Sequence, residues 1–146
     1  MKNGIIFLKY YGGEIVRLAY LSTWEKFEPC EKYRVFASNF NTFRKWRVDE
    51  RLLIFIGKEG LVKTLVTGEF FNSNEMIWKN DLYEWRVPIN KSEKFDGING
   101  TRLNLAIKSL LYKEYGHYYG FLLRNHTCLR EEVAYKIESI LSEQPV

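Results

Sequence analysis

Leu52-Leu53-Ile54-Phe55-Ile56 is an unbroken apolar run. Successive side chains of a strand point to opposite faces, so a strand with one wet face alternates apolar and polar residues. A run with no polar member marks a strand buried on both faces. The fold must therefore place material on each side of this strand. With 146 residues the chain can do so as one domain, residues 1–146, without disulfide staples.

The flanking segments supply the rest of a sheet. Gly57-Lys58-Glu59-Gly60 reads as a turn, and residues 61–70 (LVKTLVTGEF) resume a strand, with Gly68 marking a bulge or bend. Residues 83–89 (YEWRVPI) alternate Tyr83, Trp85 and Val87 against Glu84 and Arg86. Pro88 places that strand's end at a sheet edge or exit. Upstream, residues 5–9 and 14–21 flank a Tyr-Gly-Gly turn and predict a hairpin. Ser22-Thr23-Trp24-Glu25 fits a capping box for a short helical turn, which Pro29 ends. A strand over 32–37 (KYRVFA) follows, and Phe40, Phe43 and Trp46, three apart, suit a short helix or 3-10 turn.

In the last third the period lengthens. Thr101 is positioned to cap a helix over 102–112, with Leu103, Ile107, Leu110 and Leu111 in one stripe. Residues 115–123 (YGHYYGFLL) are expected to return to the sheet. Residues 130–141 form the clearest helix, with Val133, Ile137, Ile140 and Leu141 on one face. Together these elements predict an α+β fold, a curled, mostly antiparallel sheet of five to six strands with helices flanking it.

A net charge of +4 favours an anionic partner such as nucleic acid, although solvated lysines on any domain give the same number. Aromatic residues at 16% imply a dense core, a stacking surface, or both. Cys30 and Cys128 form no CxxC pair, and His117 and His126 have no metal-ligand spacing. They read as reduced thiols of a cytoplasmic protein with neither metal nor cofactor. No apolar run nears the ~20 residues of a membrane span, and no cleavage pattern follows the N-terminal apolar run. GxSxG, P-loop, GxGxxG and HExxH patterns are absent. A binding protein is expected rather than an enzyme. His117 with Cys128, and Glu75 with Asp81, are the pairs an enzyme would have to use.

Trp78 stands in a polar loop among Asn74, Glu75, Lys79, Asn80 and Asp81. It either plugs the edge of a core or waits for a flat apolar guest. Arg44, Lys45 and Arg47 form the densest basic cluster around Trp46, with Lys58, Lys79 and Arg86 as further cations for a phosphate backbone at a pocket mouth. A solvated face accounts for the same charges.

The order of these pieces resembles the PUA-like superfold, its EVE and YTH branches in particular. Val35-Phe36-Ala37-Ser38 ends a strand, a variable piece follows, and the LLIFI strand, LVKTLVTGEFF, Ile77-Trp78 and YEWRVPI come in turn. The likeness spans roughly residues 32 to 90, and 116–141 loosely resemble the end of EVE domains. It implies a small barrel that takes a modified base into an aromatic cage. Carried over position by position, the cage walls are Phe36, where the family usually has Trp, and Trp78. Ser38 falls one residue from a position that hydrogen-bonds the base, and Asn39 and Asn41 are nearby amides. N6-methyladenine is the favoured guest, ahead of a modified cytosine. Such readers also occur at the front of McrB-type restriction motors, where they target modified DNA. A free-standing relative would bind RNA. The alternatives are a PUA-like RNA binder without modification preference and a small ASCH-like enzyme.

Overall fold

A computed structural model describes residues 15–38, 43, 46–79, 81–126 and 128–142. The elements are β1 (Ile15–Leu21), α1 (Trp24–Tyr33), β2 (Val35–Ser38), β3 (Arg51–Ile56), β4 (Gly60–Val66), β5 (Phe71–Asn72) and β6 (Trp85–Phe95). Then come α2 (Gly97–Tyr115), a 3-10 turn (Gly116–Tyr119), α3 (Gly120–Asn125) and α4 (Glu131–Ser142). The sheet runs β1-β3-β4-β6-β2, with β5 against the start of β6. It is a curled, mixed half-barrel in an α+β fold. All described strand pairs are antiparallel except β1 with β3. That pair is parallel because α1 and β2 lie between the two strands in sequence and carry the chain back across.

The apolar run in β3 divides as its period demands. Leu52, Ile54 and Ile56 enter one core cluster with Phe27 and Cys30 of α1, Phe36 of β2 and Trp78. Leu53 and Phe55 enter a second cluster with Leu103, Ile107 and Leu111 of α2, Leu122 of α3 and Val133, Ile137 and Leu141 of α4. All five run residues are fully buried, each contributing about 1.5–3 kcal/mol of burial. The sheet is thus covered on both faces.

Several sequence expectations are corrected. Thr23, not Ser22, caps α1, its Oγ1 accepting the Lys26 N–H at 3.3 Å. Pro29 lies inside α1, which continues to Tyr33 and stops at Arg34 in the left-handed region, φ 56°. Lys32 and Tyr33 are therefore helical, and β2 begins only at Val35. Pro88 sits within β6, where the strand passes from pairing β2 to pairing β4. The Ile89 N–H bonds the Arg34 carbonyl while the Pro88 carbonyl accepts the Thr67 N–H on the other side, so Pro88 turns its nitrogen away from β2 and its pairing with Val35 needs no N–H. Gly68 lies beyond β4, and a Cβ there would stand 3.1 Å from the Pro88 ring. Residues 116–125 are helical instead of a strand, and α2 begins at Gly97 with Thr101 inside it. The predicted first strand, residues 5–9, lies outside the described residues, as do 40–42, 44 and 45 of the predicted short helix.

Candidate functional site

Between α1 and the loop after β5 is a cleft of about 680 Å³. Its helical wall is lined by Lys26, Pro29, Lys32 and Tyr33, and its loop wall by Met76, Ile77, Trp78 and Lys79. Met76 and Tyr33 are 58% and 47% exposed. Trp78 is nearly buried at the base, and its Nε1–H donates to the Lys26 carbonyl at 3.0 Å. The Cys30 thiol reaches the same carbonyl at 3.7 Å. Burial pushes that thiol's pKa up to about 12, against the lowering effect of its backbone and Trp78 hydrogen bonds. Cys30 is therefore a packing residue, not a nucleophile. Pro29 has no N–H, so the Glu25 carbonyl one turn earlier loses its helical donor. Glu25 and Pro29 both line the cleft.

Arg86 builds the loop wall. Its guanidinium donates to the carbonyls of Tyr83 and Leu82 at 3.1 Å each, to Ser73 Oγ at 3.2 Å and to the Glu75 carbonyl. It also lies 5.3 Å over the Trp78 ring, which Tyr83 meets edge-on at 5.0 Å. Arg86 is only 3% exposed. Burial lowers its pKa, with Glu75 opposing. A buried guanidinium needs several acceptors, and a loop rich in free carbonyls supplies them.

A second aromatic cluster lies deeper. The Phe36 ring is parallel to Trp46 at 6.5 Å, tilted against Phe43 at 6.0 Å and edge-on to His126 at 5.7 Å. Arg17 clamps this cluster. Its Nη1 donates to the His126 carbonyl at 2.7 Å and its Nε to Glu50 at 2.6 Å. Burial, and then the charge of Arg17, lower the His126 pKa to about 4, so its ring is neutral at pH 7.

These placements revise the sequence-predicted site. Phe36 is 2% exposed inside the core, because β2 turns it onto Trp46 and His126 instead of outward. Phe36 and Trp78 therefore do not form two open walls facing one guest. Ser38 is half-buried at the end of β2, opposite Trp85. Arg86 is corrected from a phosphate contact to a buried strut of the loop. Arg47 precedes β3 and Lys58 follows it, both exposed. They stand at opposite ends of a strand about 20 Å long and ring no common mouth. Lys79 is exposed at the cleft. Asn39, Arg44 and Lys45 lie outside the described residues.

Sequence reasoning missed the α1 wall. Its signal was Pro29, taken as a helix stop when it is a helix interruption. The charges lining the cleft balance, Lys26, Lys32 and Lys79 against Glu25, Glu28 and Asp81. The cleft thus offers local pairing points, not a broad basic field. Among the described residues no helix is long and apolar enough to cross a membrane. No family model matches this sequence, and comparison with curated proteins finds no match.

Proposed function

We propose that this chain is a nucleic-acid-binding module that takes one unpaired or flipped base into the α1 cleft. A methylated base, N6-methyladenine first, is the preferred guest. The observation that carries this is the make-up of the cleft: an apolar wall of Met76 and Ile77 above a nearly buried indole, facing a helix whose Glu25 carbonyl lacks the N–H that Pro29 does not have. A base is apolar on its faces and polar along its edge. N6-methylation removes one amine hydrogen and adds a group that needs an apolar neighbour. Met76 and Ile77 meet the methyl, the Glu25 carbonyl accepts the remaining N–H, and Lys32 and Lys79 hold flanking phosphates. Stacking returns about 1–3 kcal/mol per base, while extrusion from a duplex costs a few. A single strand is therefore the better ligand. The curled sheet with a helix across one face also supports the PUA-like relationship, and DNA is the polymer if the chain serves a restriction motor.

The burial of Phe36 favours a second reading, an RNA binder without modification preference. With that ring in the core and Trp78 nearly buried beneath Arg86 and Tyr83, Tyr33 is the exposed ring the cleft offers a guest, and a methyl group adds little. Anisotropy titrations of single-stranded DNA and RNA, each with and without one N6-methyladenine, separate the two. The first reading expects a severalfold preference for the methylated strand, lost in Met76→Glu, a change at an exposed position. Tight but equal binding of plain and methylated RNA selects the second. Absence of binding to every strand at low salt rejects both.

A further inference from the structure

The indole at the base of the α1 cleft has little surface to give a guest. Trp78 is 5% exposed, Arg86 lies over its ring, Tyr83 meets it edge-on, and its Nε1–H is engaged by the Lys26 carbonyl. Tyr33 differs. It is the last residue of α1, lines the same cleft and is 47% exposed. A half-exposed tyrosine is ordinary by itself. Here it shares the cleft with the exposed Met76 and with Ile77 on the loop wall. The Lys32 ammonium stands 5.2 Å from the centre of its ring, so a cation is stationed beside the aromatic surface. Tyr33 lies eight residues beyond Glu25, about 12 Å along the helix axis. Helical side chains lean toward the N-terminus, while helical carbonyls point to the C-terminus. The ring and the Glu25 carbonyl therefore approach each other along the cleft.

We infer that Tyr33, not Trp78, is the ring on which the guest base stacks, an assignment that rests on the reading that a base enters the α1 cleft. The base lies with one face on the phenol ring and the other toward the Met76 thioether. Its amine edge points along α1 to the Glu25 carbonyl, and Lys32 meets the adjoining phosphate. Stacking on Tyr33 displaces only water. Stacking on Trp78 would require Arg86 to leave the carbonyls of Tyr83, Glu75 and Leu82 that it holds. Those are hydrogen bonds from a buried charge, and one stacked base does not offset their loss. Trp78 keeps a positioning part, because its bond to the Lys26 carbonyl ties the loop wall to the helical wall.

Two short strands of abasic spacers, one with a single N6-methyladenine at its centre and one with none, are titrated against the full chain by anisotropy. The base is then the only difference between the ligands. The wild-type chain is expected to bind the base-bearing strand about fivefold or more tightly than the other. Tyr33→Ser should erase that ratio, and Tyr33→Phe should keep it, since the ring and not the hydroxyl does the stacking. Trp78→Phe, measured below its own thermal midpoint, should keep the ratio although that midpoint falls. A ratio that survives Tyr33→Ser, or that Tyr33→Phe or Trp78→Phe erases, overturns the assignment and leaves the base-binding reading standing. Equal binding of the two strands by the wild-type chain removes that reading, and the assignment with it.

Discussion

His126 is a titratable ring enclosed by Phe36, Phe43 and Trp46, with its carbonyl held by Arg17. Its folded pKa, about 4, lies below the ordinary value of 6.5. The unfolded chain therefore binds the proton more readily between those values, and folding stability falls as pH drops through that window. The neutral ring's contribution is fully present above pH 6.5 and is lost once pH passes below about 4. The shift corresponds to about 3 kcal/mol. Urea midpoints at pH 7 and pH 4.5 should differ accordingly, and His126→Asn should flatten the difference. Asn tolerates the left-handed backbone there, φ 51°, and does not titrate. An unchanged slope in the variant would remove His126 as its source. Of the predicted site, the sequence marked Trp78 as a residue with two possible jobs, but not which one. Its decisive partner, the Lys26 carbonyl, lies 52 positions away, beyond the reach of any local pattern. Phe36 and Arg86 misled for a related reason. Alternation along a strand tells which side chains share a face, but not whether a loop or an aromatic cluster covers that face.

At the scale of elements, periodicity was legible and boundaries were not. The stripes of α2 and α4 and the two-faced burial of β3 follow from spacing alone. The ends of α1 and α2 were hidden by Pro29, Gly97 and Gly100, residues that ordinarily stop helices; here Pro29 lies inside α1, Gly97 opens α2 with a φ of 64°, and Gly100 packs against β6. At Gly100 a Cβ would stand 2.4 Å from the Phe95 carbonyl oxygen and 2.7 Å from its carbon, both backbone atoms. Alanine ordinarily gains about 1 kcal/mol over glycine inside a helix. Here overpacking against fixed backbone should win, and Gly100→Ala should lower stability by about 1–3 kcal/mol. A rise in its thermal midpoint would show that the approach of α2 to β6 is looser than described. Pro29 should behave in the opposite way. Pro29→Ala restores the hydrogen bond to the Glu25 carbonyl and should stabilise α1 by about 1–2 kcal/mol, since a proline inside a helix costs more than its unfolded-state benefit returns. The same change consumes the acceptor offered to a base. Oligonucleotide binding should therefore weaken while the midpoint rises, and a variant that is both more stable and equally tight would separate Pro29 from the site.

For the molecule as a whole, the question is whether two cores on opposite faces of one sheet behave as one unit. Nature has supplied separate probes. All four tryptophans, Trp24, Trp46, Trp78 and Trp85, belong to or pack on the cluster beneath α1. The helices α2, α3 and α4, which dominate a far-ultraviolet dichroism signal, cover the other face. Independent cores would give two transitions, one in each signal. The wiring opposes that. Leu52, Ile54 and Ile56 of β3 anchor one cluster, while Leu53 and Phe55 of the same strand anchor the other. No residue of β3 can leave its place without opening both. Lys63 of β4 also reaches Glu138 of α4 at 2.8 Å, tying the helical layer to the sheet. Fluorescence and dichroism midpoints in urea are therefore expected to coincide, the mark of one cooperative transition. Leu53→Ala sharpens the test. It removes side-chain volume only from the tryptophan-free face, at a cost of about 2–5 kcal/mol. If β3 couples the faces, the fluorescence midpoint must fall as far as the dichroism midpoint. If fluorescence holds its wild-type midpoint while dichroism falls, the sheet joins two separately stable layers.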